Sequence, residues 1–125
     1  MRCPCRKATE TTPYEACCGR YHNDGAVPPT AEALMRSRYS AFALKNEIYL
    51  LGTWHPRTRP VQLDFEAGRK WYMLKVLYAQ EDGDKATVEF YARSRMFGRT
   101  HSLHEVSRFA RENGRWFYVD GDVEK

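Results

Sequence analysis

Two different spacings of apolar residues divide the chain. Over residues 31–44, "AEALMRSRYSAFAL", Ala31, Leu34, Met35, Ala41 and Phe42 recur at the three-to-four spacing of an amphipathic helix, with Arg36 and Ser40 on the opposite side. Thr30 follows Pro28 and Pro29 and can cap this helix, and Glu32 lies in its first turn, where a negative charge is favoured. Arg38 interrupts the pattern. It falls within the apolar arc, between Leu34 and Phe42, where an unpaired guanidinium is costly to bury. Asn46 can cap a second helix, "EIYLLGTW", which Pro56 stops. From residue 69 the period becomes that of strands: "RKWYMLKVLYA", a hairpin signal at Asp82-Gly83, "KATVEFYAR", then "HSLHEVSRFARE", Asn113-Gly114 and "RWFYVDG". Helices first and four strands as two hairpins afterwards predict an α+β layer with the helices on one face of a curved antiparallel sheet.

A two-residue turn at Asn113-Gly114 sets the pairing of the last hairpin. It opposes Glu112 to Arg115, Arg111 to Trp116, Phe109 to Tyr118, Ser107 to Asp120 and Glu105 to Asp122. One face then carries Leu103 and Phe109 with acids set among them, and the other carries His104, Val106, Arg108, Ala110, Phe117 and Val119. Periodicity leaves open which face the helices cover. If it is the first, Glu105 and Asp120 are the natural carboxylate partners of Arg38.

With 125 residues, 42% hydrophobic, the chain has material for one core and not for two ordinary domains. Its formal charge of +4, with signs interspersed, does not by itself indicate a nucleic-acid binder. The amino terminus has no apolar run of signal-peptide length, and no stretch reaches the ~18 apolar residues of a membrane span. A soluble, cytoplasmic protein with no membrane association is the expectation.

All four cysteines fall in residues 3–18, "CPCRKATETTPYEACC". Neither adjacent Cys17 and Cys18 nor Cys3-x-Cys5 easily reaches relaxed disulfide geometry within its own pair, and a reducing compartment disfavours bridging. Two short clusters joined by a loop can supply four thiolates to one tetrahedral Zn²⁺, the favoured reading over bystander thiols or a redox pair. His22 is a possible substitute ligand. Such a centre carries −2, bringing the formal charge to +2, and Arg2, Arg6, Lys7 and Arg20 are placed in sequence to offset it. Residues 19–29, "GRYHNDGAVPP", have no apolar periodicity and read as a connection. The expected organisation is a zinc knob over 1–22, a linker over 23–29 and an α+β body over 30–125, with the metal holding the knob as an appendage.

"CPC", "YEACCGRYH", "TAEALMRSRYSAFAL", "TWHP" with "TRP", "LHEVSRF" and "GRWFYVDGD" span nearly the whole chain, and in this order they resemble the YchJ family. That resemblance implies a SEC-C zinc motif joined to a nuclear-transport-factor-2-like domain, a cone of helices over a strongly curved sheet with a pocket between them. The SEC-C motif is similar to the zinc-binding tail of the translocation ATPase SecA, which contacts protein partners; by that similarity Cys3, Cys5, Cys17 and Cys18 are the zinc ligands and the knob binds a protein. The segment "RKATETTP" departs from the short glycine-serine linker usual between the cysteine pairs, which puts in question whether the knob offers the same partner surface.

The cone fold hosts both enzymes and binding modules. For a ligand pocket the candidates are Arg38, Tyr39, Trp54 and Glu105; for catalysis, Arg38, Glu105, His55 and Asp120, with His104 also available. Each has an ordinary alternative: a structural Arg38–Glu105 pair, a helix-end cap for His55, and core packing for Tyr39, Trp54 and Trp71. Arg93, Arg95 and Arg99 around Met96 and Phe97, with Arg57 and Arg59 elsewhere, raise RNA or ribosome contact as a third reading, against which stands charge that merely protects a strand edge. No phosphate loop, Ser-His-Asp order or dinucleotide fingerprint is present.

Overall fold

The structure, a computed structural model, describes residues 1–6 and 10–124. Both expected caps form. The Thr30 hydroxyl accepts from the Ala33 amide at 3.0 Å and opens helix α2 (Ala31–Ala43), after the short helix α1 (Gly19–Asn23); the Asn46 side chain accepts from the Tyr49 amide at 3.1 Å and opens α3 (Glu47–Gly52). Four strands follow, β1 (Lys70–Asp82), β2 (Lys85–Met96), β3 (Arg99–Glu112) and β4 (Arg115–Glu124), paired antiparallel in chain order as one meander. The α+β layer expected from the pattern, helices on one face of an antiparallel sheet, is thus the fold, in agreement with the cone that the resemblance implies. None of the helices among the described residues is long and apolar enough to cross a membrane.

The helices cover the face that carries Leu74, Val88, Phe90, Ala92, Ser107 and Phe109, which answers the question left open by periodicity. Helix α2 is buried more widely than its apolar arc requires. Ser37 and Ser40 are fully buried, and Ser40, expected on the solvent side, lies against the cysteines. Phe42, expected inside, is 36% exposed. The reason is that α2 has two packing partners, the sheet on one side and the N-terminal knob on the other. Cys3, Cys5, Cys17 and Cys18 belong to the same continuous buried cluster as Leu34, Met35 and Val88, so the knob is a docked part of the body and not an appendage.

The turns correct the sequence reading at two places. The first hairpin pairs Asp82 with Lys85 and turns at Gly83-Asp84, one residue later than expected. Gly83 has φ +62° and Asp84 is not left-handed, which selects a turn with glycine at its first central position. A further hairpin turns at Phe97-Gly98, with φ +53° and +77°, so "ARSRMFGRTH" is a strand, a tight turn and a second strand. Asn113-Gly114 has nearly the same angles, +53° and +76°.

Pairing across Asn113-Gly114 holds from Glu112–Arg115 to Phe109–Tyr118 and then slips. Val119 is an extra residue, so Arg108 opposes Asp120, Ser107 opposes Gly121 and Glu105 opposes Val123, in place of the expected Ser107–Asp120 and Glu105–Asp122 pairs. The freed Val119 carbonyl accepts from the Thr58 hydroxyl at 2.5 Å. Irregular pairing also occurs between Trp71 and Met73 and between Val76 and Tyr78. Such bulges increase local twist and bend the sheet around the helices.

Asn tolerates the left-handed region and Phe does not, at a difference of order 1 kcal/mol. Phe97→Asn is therefore expected to raise the thermal unfolding midpoint by a few degrees, measured by circular dichroism. An unchanged or lowered midpoint would show that the Phe97 ring contributes packing that outweighs the backbone strain.

Candidate functional site

The cysteine centre is assembled by backbone geometry. The Cys3 amide donates to the Thr12 carbonyl at 3.0 Å and Tyr14 N donates to Met1 O at 2.8 Å, closing the N-terminal segment on itself. A 3-10 turn, Tyr14–Ala16, then leads to Cys17 and Cys18 at the start of α1. Gly19 is needed here because a Cβ would stand 2.7 Å from the Tyr14 carbonyl oxygen. All four sulfurs lie within 4.8 Å of one another and all four residues are buried. Cys5 Sγ is 3.6 Å from both Cys17 Sγ and Cys18 Sγ. Four sulfurs about 2.3 Å from one ion in a tetrahedron stand about 3.8 Å apart, so the donor type, number and spacing fit a metal of zinc's preferences.

Hydrogen bonds within the cluster push the Cys3 and Cys18 thiols in opposite directions. Bonds from Cys18 and Cys5 hold the Cys3 thiol far below the ordinary thiol range. Cys18, bonded to Cys3 and Cys5 and buried, is pushed far above it. Arg6 donates through Nε to Cys17 Sγ at 3.3 Å and compensates the centre's charge; Arg20 turns instead to the Cys17 carbonyl, and Lys7 lies outside the described residues.

The knob also contacts the body, through bonds to α2 and through the His22 ring, which lies 4.4 Å from the Tyr49 ring of α3. The Ser40 hydroxyl donates to Cys18 Sγ at 3.2 Å and lies 3.5 Å from Cys3 Sγ, Arg36 donates to the Cys5 carbonyl at 3.3 Å, and His22 Nε2 donates to the Ser37 carbonyl at 2.8 Å. His22 Nδ1 is 2.6 Å from the Tyr14 hydroxyl, which serves as its donor. With both ring nitrogens engaged, and its pKa lowered by burial, His22 is a neutral bridge between knob and helix and is not among the grouped ligands.

The second site lies on the other side of α2. A cavity of about 170 Å³ is walled by Tyr39, Trp54, Trp71, Phe90, Leu103 and Phe109, with Arg38, Glu105, Ser107 and Tyr118 as polar members. All four sequence-derived pocket residues, Arg38, Tyr39, Trp54 and Glu105, line it. Arg38 is 5% exposed. Its Nη1 donates to the Leu50 carbonyl at 2.8 Å and to the Thr53 hydroxyl at 2.7 Å, satisfying the end of α3, and its guanidinium stacks at 4.6 Å on Tyr118 and 5.1 Å on Trp54. Burial lowers its pKa to about 10, so it stays a cation at neutral pH. Glu105 is bonded elsewhere: its carboxylate accepts from Ser107 at 2.6 Å and from the Tyr118 hydroxyl at 3.4 Å. Gly121 leaves the room that carboxylate occupies, since a Cβ there would collide with it.

Two candidates fall outside the cavity. The bulge at Val119 turns Asp120 outward, where it accepts from Arg108 at 2.6 Å, so it can serve neither Arg38 nor a reaction in the cone. His55 Nε2 donates to Glu112 at 2.6 Å while Nδ1 accepts from the Arg57 amide. His104 is on the outer face, bonded to Glu89 at 2.6 Å. The segment "TWHPRT" has a different role, invisible in its sequence. Thr53 holds Arg38, the backbone of 53–55 pairs with Tyr118, and Thr58 holds the Val119 bulge, so the segment clasps α3 to β4.

Comparison with known proteins agrees with this architecture. Residues 30–121 match the model of the YchJ middle NTF2-like domain. The chain belongs to the YchJ family. This YchJ-family protein is 52% identical to a UPF0225 protein of Polaromonas naphthalenivorans, over 96% of each chain, and 48% identical to one of Streptomyces coelicolor, over 96% of this chain and 94% of that one. A solution structure of a SEC-C motif containing protein from Rhodopseudomonas palustris superposes with a TM-score of 0.84 at 35% identity, covering both chains entirely. The crystal structure of a SEC-C motif containing protein from Psychrobacter arcticus gives 0.79 at 29% identity, over this whole chain and 84% of that one.

Because the knob rests on α2, loss of a metal held by these four sulfurs would reach the body. Chelation should lower the unfolding midpoint by more than about 10 °C and deprotect the amides of Ser37–Ala41 together with those of Cys17–His22 in hydrogen exchange. Deprotection confined to residues 1–22 would mean that α2 is held without the knob.

Proposed function

We propose that the protein is a zinc-anchored binding module whose cone carries or senses a small molecule. Zn²⁺ held by Cys3, Cys5, Cys17 and Cys18 has its tetrahedron filled by protein, which suits a structural and not a catalytic ion. It would supply cross-linking of the N-terminal segment against α2. The cone's occupant is an apolar molecule of about one ring's size with one hydrogen-bond-accepting end. The observation that carries this reading is Arg38, a buried cation on the wall of an aromatic cavity that spends one nitrogen on α3. The Trp54 indole N–H on the same wall is buried without a partner. A buried donor without an acceptor is costly, and a ligand acceptor beside Arg38 would satisfy the Trp54 indole.

Catalysis is the second reading, favoured by Glu105 sharing the cavity with Arg38; of the other acid-base candidates, His55 and Asp120 lie elsewhere. The protein partner expected from the SEC-C resemblance would meet the knob on its outward side, where Glu15 and Arg20 are exposed, because the inward side is taken by α2.

Native mass spectrometry is expected to find one zinc per chain, lost in Cys17→Ser; a folded, zinc-free protein would remove the metal reading. Titration of benzoate, benzamide and benzylamine, followed by tryptophan fluorescence and by the amide resonances of Phe90 and Phe109, tests the cone. Benzoate or benzamide should bind, benzylamine should not, and Arg38→Met should weaken binding at least about tenfold, while Arg38→Lys retains part of it. Binding of none of the three, or equal binding to wild type and Arg38→Met, would overturn the reading.

A further inference from the structure

The outward face of the sheet presents a second surface that neither the metal centre nor the cone uses. Cross-strand pairing places Lys70 beside Arg95, Met73 beside Arg93 and Lys75 beside Tyr91 on this face. Tyr72, in the irregular pairing between Trp71 and Met73, lies under the Arg95 guanidinium at 5.2 Å. Tyr91 stacks on His104 at 4.3 Å with 28° between the planes. Tyr72, Tyr91, Lys70, Lys75, Arg93 and Arg95 are all exposed. Two acids share this face, Glu89, engaged by His104 at 2.6 Å, and Glu124, which opposes His104 on β4; among the described residues no carboxylate pairs with Arg93 or Arg95.

Protection of a sheet edge does not account for these arginines. β2 is an interior strand, flanked by β1 and β3, and its backbone is already paired on both sides. The same end of the sheet terminates in Phe97, which is 84% exposed and left-handed between Arg95 and Arg99. The turn does not demand this residue, since the equivalent position of the β3–β4 hairpin, with nearly the same angles, is Asn113. An aromatic ring thus stands exposed where the backbone favours Asn, at the end of the strand that carries Arg93 and Arg95.

We propose that this face binds single-stranded nucleic acid, with Arg93 and Arg95 on the phosphates and Tyr72, Tyr91 and Phe97 as platforms for unstacked bases. Charge selects a polyanion, and partly exposed aromatic rings select one whose bases are free to stack, which a duplex does not offer. Arginine forks suit phosphate better than lysine would.

Fluorescence anisotropy with labelled rU12 and dT12, a 12-base-pair duplex and heparin as comparison polyanion tests this on the zinc-loaded full chain. Either single strand is expected to bind more tightly than the duplex, with log affinity falling linearly in log salt. Arg93→Ala/Arg95→Ala should weaken binding at least about tenfold at low salt and reduce the salt slope by about 1.4. Tyr72→Leu/Tyr91→Leu should weaken it at least about fivefold with the salt slope unchanged. Lys85→Ala/Arg115→Ala, which removes the same charge at the other end of the sheet, should leave affinity within about twofold. A preference of rU12 over dT12, or the reverse, identifies the natural class. The proposal is overturned if no strand binds at 50 mM salt, if heparin or duplex competes as well as single strands, or if the Lys85/Arg115 variant loses as much as the Arg93/Arg95 variant.

Discussion

Helix α2 is buried on two sides by partners of opposite character, and the rest of the molecule is arranged around that fact. On one side Leu34, Met35 and Tyr39 meet the apolar sheet; on the other Ser37, Ser40 and the Arg36 backbone meet sulfur and the His22 ring. A helix of thirteen residues has too little apolar surface to be held by one face alone in so small a body. The cysteine centre supplies the second wall in a region with few large apolar side chains to build one, its four buried sulfurs standing where side-chain packing would otherwise be needed.

Two charges are thereby placed with opposite solutions. Arg36 is half exposed, pairs with Glu32 at 3.0 Å and reaches the knob. Arg38, two residues on, points the other way and is surrounded by carbonyl, hydroxyl and aromatic faces instead of a carboxylate. These partners satisfy Nη1 and face the guanidinium with aromatic rings on the cavity wall. The clasp formed by Thr53, Trp54 and Thr58 makes this possible, because it ties the end of α3 to Tyr118 and to the β4 bulge.

That bulge is also where local reasoning stops working. Asn113-Gly114 correctly sets the hairpin through Phe109–Tyr118, since turn geometry propagates for a few pairs. Beyond it one extra residue exchanges inside for outside: Asp120 leaves the cone and Gly121 enters beside Glu105. The carbonyl that makes the bulge tolerable is bonded by Thr58, 61 residues earlier, a relation with no local signal. The hairpin at Phe97-Gly98 was hidden for the opposite reason, because Phe is a poor guide to a left-handed turn position.

The sequence alone determined what depends on neighbours along the chain: the caps at Thr30 and Asn46, the change from helical to strand period, the glycine turns within one residue, and a sulfur group whose crowding matches one tetrahedral ion. It also marked Arg38 as a charge in an apolar arc. What only the tertiary structure decided is what depends on contacts across the chain: that the knob is docked on α2, that Arg38 faces Tyr118 and Trp54 and not Glu105, and that Asp120 and His55 stand outside the cone. The physical reason is that a side chain's period gives its direction from its own element, whereas its partner depends on how far other elements are bent, bulged and clasped toward it.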